Sequence, residues 1–246
     1  MLEMGVIRPS GSAWASPVVL VPKPDGEIRF CMDYHKLNAV TCPDNYPMPH
    51  TDELLEKLGC AQFISTLDLT KGYWQVPLDE SAKERSAFIT HVGLYEFNVL
   101  PFRLRNAPTT FQKLVDSLLA GLGEYAVTYL DDVTIFSDSW AEQLEHLRKV
   151  FESIREAELT VKAKNCQIGL NRVTYLGHRV GQGTINPLQA KVNAIQKWSV
   201  PKSKKQVQSF LGLAGFVLHY SQITAPLTDL TKKKQPNGIQ WTEECQ

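Results

Sequence analysis

The 246-residue chain has no run of about 18 apolar residues, so it offers no membrane-spanning helix and no membrane partner is expected. Its opening stretch, Met1 to Ile7, lacks a basic segment followed by an apolar core. No secretory leader is therefore expected, and the expected location is intracellular, in cytoplasm or nucleus. Five cysteines (Cys31, Cys42, Cys60, Cys166 and Cys245) occur without a Cys-x-x-Cys pair or a Cys/His zinc spacing, and they read as reduced thiols. Internal repeats and low-complexity tracts are also lacking. So is net charge, since 26 basic residues balance 26 acidic ones. A neutral chain lacks the overall positive field that phosphate binding usually brings. The balance is not even, however: between Lys191 and Lys234 stand eight lysines and one acid, Asp229, a net of +7. That stretch reads either as a soluble surface or as a phosphate-tracking one.

The chain is 43% hydrophobic, enough for one large domain or two small ones with real cores. Residues 1 to about 50 are loop-rich and carry seven prolines. Between them, Ser16 to Val21 and Glu27 to Met32 read as strands joined by the turn Pro24-Asp25-Gly26. Lys23 and Arg29 lie at the tip and along one arm of this hairpin. They fit a grip on a triphosphate, and equally edge charges that block sheet-to-sheet association. Thr51 to Gly59 reads as a short helix with Thr51 as its cap, and Phe63 to Leu69 as a strand delivering Asp68 at its end. Further strands are expected around Phe88-Ile89-Thr90 and Tyr95 to Val99. A helix is expected from about Thr110 to Leu122, and a longer one from Ser139 to about Leu159 with Leu144, Leu147, Val150, Phe151 and Ile154 on its apolar face. Cys166-Gln167-Ile168 and Val173 to Val180 read as another strand pair, followed by helices at about 187–198 and 204–214. Strands and helices mixed, then a small basic helical appendix, indicate an α+β fold.

Around Tyr129-Leu130-Asp131-Asp132-Val133 two β-rich runs flank a carboxylate doublet, the composition of a hairpin with Asp-Asp at its tip. Asp is also a common turn residue, so the doublet alone admits a plain solvated turn. Asp68 changes the odds: if its strand neighbours the hairpin, three carboxylates gather at one end of a sheet. An all-oxygen set without nearby His or Cys suits magnesium better than zinc. Such a site fits two-metal phosphoryl or nucleotidyl transfer. A glycosidase pair would need two separated acids in an aromatic cleft, which an adjacent doublet does not supply.

Leu67-Asp68-Leu69 with Gly72-Tyr73-Trp74-Gln75-Val76, then Leu100-Pro101-Phe102 with Asn106-Ala107-Pro108 and Phe111-Gln112, then Tyr129-Leu130-Asp131-Asp132, resembles the reverse transcriptase of gypsy-type LTR retrotransposons and related endogenous elements. The likeness runs from Glu3 to Thr242. It implies a right-hand polymerase of fingers, palm and thumb: fingers and palm over 1–183, a basic helical thumb over 184–234, and over 235–246 the start of a truncated RNase H-like region. It implies an RNA-directed DNA polymerase, adding dNMP from dNTPs to a primer 3′-hydroxyl on an RNA or DNA template. Asp68, Asp131 and Asp132 would be the catalytic and metal-binding residues for two Mg2+ ions, with Mn2+ able to substitute. Lys23 and Arg29 would hold the triphosphate. Tyr73 would lie beneath the sugar and exclude a ribose 2′-hydroxyl, with a core tyrosine as the plain alternative. Phe102 and Tyr129 would line the substrate pocket, and Leu176, Gly177 and His178 would grip the primer end.

Three positions depart from the family pattern. Arg103 stands where the pattern has Gly, placing a long cation beside the nucleotide pocket and adding strain if the backbone there needs a positive φ. His35 replaces an Arg, exchanging a permanent charge for a titratable one. The stretch Phe210 to Tyr220 is shorter than the pattern by about four residues. Two rival readings therefore stay open: a catalytically impaired remnant that only binds nucleic acid, and an RNA-templated RNA polymerase with a similar palm.

Overall fold

The structure, a computed structural model, describes residues 1–22, 26, 28–69, 71–215 and 220–232. Lys23, residues 216–219 of the shortened stretch, and the expected RNase H-like start over 235–246, with Trp241-Thr242, lie outside them. Two compact units emerge, one of Met1–Leu54 with Gln62–Leu170, the other of Leu55–Ala61 with the described part of Asn171–Gln246.

The first unit opens with β1 (Ile7–Pro9), β2 (Ser16–Pro22), β3 (Ile28–Met32), α1 (His35–Val40) and α2 (Thr51–Cys60), whose last residues belong to the second unit. It continues with β4 (Phe63–Asp68), a 3-10 turn at Gly72–Gln75, α3 (Glu80–Arg85), β5 (Phe88–Thr90) and β6 (Gly93–Phe97). Then come α4 (Ala107–Leu118), β7 (Ala126–Tyr129), β8 (Asp132–Ser137), α5 (Trp140–Glu156), a 3-10 turn at Ala163–Asn165 and β9 (Gln167–Leu170). Its strands form a five-stranded sheet in the order β1-β6-β5-β2-β3 and a four-stranded antiparallel sheet in the order β7-β8-β4-β9. Val6, Met32, Tyr34, Phe88 and Phe97 make the core of the larger sheet. The smaller sheet has α4 and α5 against it, around Leu67, Phe111, Val115, Val133, Ile135, Leu147, Val150 and Ile154.

The second unit holds a three-stranded antiparallel sheet, β10 (Val173–Tyr175), β11 (His178–Gly181) and β12 (Thr184–Pro187). Helices α6 (Gln189–Gln196), α7 (Lys204–Ala214), α8 (Tyr220–Ile223) and α9 (Ala225–Leu230) follow.

Three differences from the sequence reading have physical reasons. Helix α4 starts at Ala107 rather than Thr110, because Pro108 in its first turn presets a helical φ where no N–H partner is needed. In α5, begun by a capping box between Ser139 and Glu142, Leu147, Val150 and Ile154 are buried, but Leu144 and Phe151 are 51% and 42% exposed. These two share one flank seven residues apart, and the sheet covers only the middle of the stripe. Finally, β9 does not pair with β10; it adds to the edge of β4, pairing Ile64 with Leu170.

Candidate active site

Strand pairing places the carboxylates. Asp68, the last residue of β4, lies opposite Asp132, the first of β8, and Tyr129 closes β7 opposite the same Asp132. Leu130 and Asp131 form the two-residue turn between β7 and β8. Leu130 sits at φ 54°, a left-handed value that non-glycine residues adopt only when held there. The Leu69 N–H donates to the Asp131 carbonyl at 3.4 Å, tying the turn to the chain that leaves β4.

The side chains are less collected than the backbones. Among the described residues, no group of three or more His, Cys, Asp or Glu stands close enough to hold a metal ion. Asn165 Nδ2 donates to Asp68 Oδ2 at 2.6 Å, fixing the direction of that carboxylate, and the three acids repel one another. Burial, then the charges of Asp132 and Asp68, push the Asp131 carboxyl above the usual range. Burial, then Asp68, does the same to Asp132. Asp131 Oδ1 is buried and accepts no hydrogen bond. An orphaned carboxylate oxygen in an all-oxygen, mutually repelling set fits a hard divalent cation, whose charge would relieve both conditions.

Behind the turn, the Leu130 N–H donates to Gln112 Oε1 at 3.0 Å. Gln112 is fully buried on α4, and its Nε2 donates to Thr128 Oγ1 and Asp116 Oδ1, each at 2.8 Å. Thr128 Oγ1 in turn donates to Asp116 Oδ1 at 2.9 Å, and the Tyr46 hydroxyl donates to Asp116 Oδ2 at 2.8 Å. The loop before Tyr46 is stapled to the same segment. Lys113 pairs with Asp44 at 2.5 Å, the Asp44 N–H donates to Asn106 Oδ1 at 3.1 Å, and Asn106 Nδ2 donates to the Cys42 carbonyl at 2.9 Å. Sequence reasoning gave no role to Gln112, although it quoted Phe111-Gln112, and it missed Asn165, a lone polar residue 97 positions from its partner with no local signal.

Next to the carboxylates, Tyr73 is buried with its ring 5.0 Å from Phe102 and 5.4 Å from Phe111. Desolvation, then the charge of Asp131, pushes its hydroxyl up to about 12. Gly72 leaves room for this ring cluster, since a Cβ there would lie 2.8 Å from the Phe111 ring. Phe102, 43% exposed, lines a cavity of about 620 Å³ together with Met1, Arg29, Phe30, Trp74 and Arg103. Arg29 and Arg103 are thus two cations around a mostly apolar space. Arg103 has φ 73°, the positive value that glycine would tolerate best. Asn38 brackets it, donating from Nδ2 to the Arg103 carbonyl at 2.9 Å and accepting at Oδ1 from the Arg105 N–H at 2.8 Å. His35 starts α1, where its backbone N–H and its ring both reach Asp33. Those bonds, helped last by Arg103, hold the Asp33 carboxyl below its usual range.

Leu176, Gly177 and His178 lie in the other unit. Leu176 at φ 47° and Gly177 at φ 81° form the left-handed pair of a tight two-residue hairpin between β10 and β11, and His178 opens β11.

The family described as reverse transcriptase (RNA-dependent DNA polymerase) matches residues 21–180. The chain is 40% identical over 244 residues to the retrovirus-related Pol polyprotein from transposon 297 of Drosophila melanogaster, covering 95% of this chain and 23% of that protein. It is 38% identical over 242 residues to that from transposon opus of the same organism, covering 94% and 24%. It therefore spans about a quarter of the length of these curated relatives. Among solved structures, a foamy viral protease-reverse transcriptase dRH in complex with double-stranded DNA superposes with a TM-score of 0.87 at 30% identity, over 99% of this chain and 44% of that one. The foamy viral protease-reverse transcriptase in complex with an RNA/DNA hybrid gives 0.81 at 29%, over 99% and 33%.

Proposed function

The chain belongs to the reverse transcriptase family of LTR retrotransposon polyproteins, with an α+β polymerase fold, and from that premise we propose that it extends a primer on an RNA or DNA template by two-metal nucleotidyl transfer. The observation that carries the reading is the register that sets Asp68 opposite Asp132, with the unsatisfied Asp131 oxygen beside them and the tilted Tyr73–Phe102 ring pair leading to the cavity.

Asp68, Asp131 and Asp132 would hold Mg2+ or Mn2+, which when bound supplies charge to lower the pKa of a primer hydroxyl and to neutralise the phosphates. The chain's own residues account for the rest. Arg29 offers a guanidinium for the triphosphate of a dNTP entering the cavity, and Lys23, outside the described residues, would be its companion. Tyr73, fixed by Phe102 and Phe111, presents a rigid ring rather than a mobile one, so its bulk can exclude a 2′-hydroxyl. Phe102 and Tyr129 border the base and sugar. Leu176, Gly177 and His178 would hold the primer end, and the lysines after Pro187 would track duplex phosphates without reading sequence.

A remnant that binds duplex without extending it is the second reading, favoured by Arg103 at a positive φ within the cavity wall. One assay separates the two: primer extension on an RNA template with dNTPs and Mg2+ or Mn2+, beside Asp131→Asn. Extension that vanishes in the variant supports the polymerase. Duplex binding without extension supports the remnant. Comparing NTPs with dNTPs tests the RNA polymerase reading in the same experiment.

A further inference from the structure

The Leu130-Asp131 turn has an unsuitable residue at its first position. A two-residue hairpin turn with positive φ at its first position favours Gly or Asn, yet Leu130 stands there at φ 54°. Something must hold it, and among the described residues the side chain that accepts from its N–H is Gln112.

The orientation of that amide is forced. Both oxygens of Asp116 are acceptors when ionised, so the Gln112 Nε2 must face Asp116, where it lies at 2.8 Å from Oδ1. Its Oε1 is then left facing the Leu130 N–H, the one geometry that stabilises the turn. Thr128 takes the second Nε2 hydrogen and passes its own to Asp116. Tyr46 occupies the remaining Asp116 oxygen, so that carboxylate has no reason to swing away. Both side-chain polar atoms of Gln112 are thus satisfied within a partly buried chain of bonds, the condition under which such a network selects one geometry instead of adding strain.

We propose that Tyr46, Asp116 and Gln112 form a positioning relay for nucleotidyl transfer, which sets the backbone of the carboxylate turn without touching substrate. The relay begins on the loop that Asn106 and Lys113 staple to α4, and it ends one residue before Asp131. The inference rests on the polymerase reading. Its consequence is that residues far from the reacting atoms control the incorporation step, while nucleotide and duplex binding depend on other groups.

A swap tests it. Gln112→Glu keeps an acceptor toward Leu130 but loses both donors and faces Asp116 with a second carboxylate; Asp116→Asn in the same chain restores a donor across that contact. Gln112→Glu alone should slow single-turnover dNMP incorporation roughly tenfold or more, as misplacement at a reacting centre does. The dNTP constant, the duplex affinity and the burst amplitude per folded molecule should stay within about twofold, the size of change expected away from a binding group. The double variant should recover most of the rate, a coupling that a double-mutant cycle reads directly. Tyr46→Phe, which removes only a hydroxyl from a half-buried ring and should fold, should slow incorporation a few-fold.

In parallel, NMR hydrogen exchange at the Leu130 amide should accelerate in Gln112→Glu and slow again in the double variant. Unchanged incorporation in Gln112→Glu, a double variant no faster than the slower single one, or equal Leu130 exchange throughout would each overturn the relay. If Gln112→Glu does not fold, Tyr46→Phe and Asp116→Asn decide by the same two readouts. If the unaltered chain extends no primer, the polymerase reading falls on its own and Leu130 exchange alone decides the relay.

Discussion

Replacing Arg103 with glycine should make the protein more stable and its nucleotide binding tighter. A non-glycine residue held in the left-handed region costs about 1–2 kcal/mol, and Arg103 is held at φ 73°. Glycine gives back about 0.5–1 kcal/mol through the greater freedom of its unfolded chain. The bonds that fix this turn, from Asn38 to the Arg103 carbonyl and the Arg105 N–H, are to backbone and survive the change. Of the influences on Asp33, the Arg103 charge is the least, so its loss there costs little. The net gain is about 0.5–1 kcal/mol. For a chain of this length each kcal/mol moves Tm by about 2–4 °C, so a rise of about 1–4 °C is expected. The midpoint in urea should rise with an unchanged slope. The variant also removes a long cation from the wall of the cavity that holds Arg29 and Phe102, and steady-state extension should show a severalfold lower KM for dNTP. A lower Tm would refute the strain argument. An unchanged or higher KM would show that Arg103 does not obstruct the cavity.

Because burial and mutual repulsion raise Asp131 above the ordinary carboxylate value, the folded state takes up its proton more readily than the unfolded one. Stability is therefore lost as pH rises from the ordinary value through the raised one. In EDTA, Asp131→Asn should melt higher than the parent near neutral pH, with the advantage fading at acidic pH or on adding Mg2+, as thermal melts will show. Asn165→Ala should free Asp68 from its 2.6 Å bond and raise the Mg2+ concentration for half-maximal extension by about tenfold, the usual cost of losing an orienting neighbour; an unchanged titration would argue against that role. Tyr73→Phe should keep discrimination between dNTP and rNTP, because bulk rather than the hydroxyl excludes the sugar. Tyr73→Ala should relax discrimination in competition assays and cost about 3–5 kcal/mol of stability through the hole left between Phe102 and Phe111.

The carboxylate doublet was legible because strand composition on both sides of Asp131-Asp132 dictates a hairpin, and Asp68 because an apolar strand ends there. That Asp68 faces Asp132 was not legible, since register between strands 64 residues apart depends on packing of both faces at once. The strain at Arg103 could be anticipated only through a family pattern with Gly at that place. The same strain at Leu130 had no such flag, because an alternating apolar run gives no sign of a positive φ. Asn165 and Gln112 were invisible for a related reason: each acts through polar contacts formed by tertiary folding. The expected pairing of residues 166–168 with 173–180 failed because the vacant edge of β4 is a better partner for β9.

The placement of β4 at the inside of its sheet bears on how the protein is made. Both of its neighbours, β8 and β9, come later in the chain, so during synthesis the apolar strand Phe63–Asp68 has no partner on either side until residue 137 has emerged, and one edge stays open until residue 170 has. At 5–20 residues per second that wait lasts roughly 5–20 s. For that time an unpaired edge rich in Ile, Leu and Phe is open to pairing with other chains. The central acid of the site thus sits on the segment with the longest unprotected interval, so chaperone supply and translation speed, more than the final stability, should govern how much of this protein reaches its folded state.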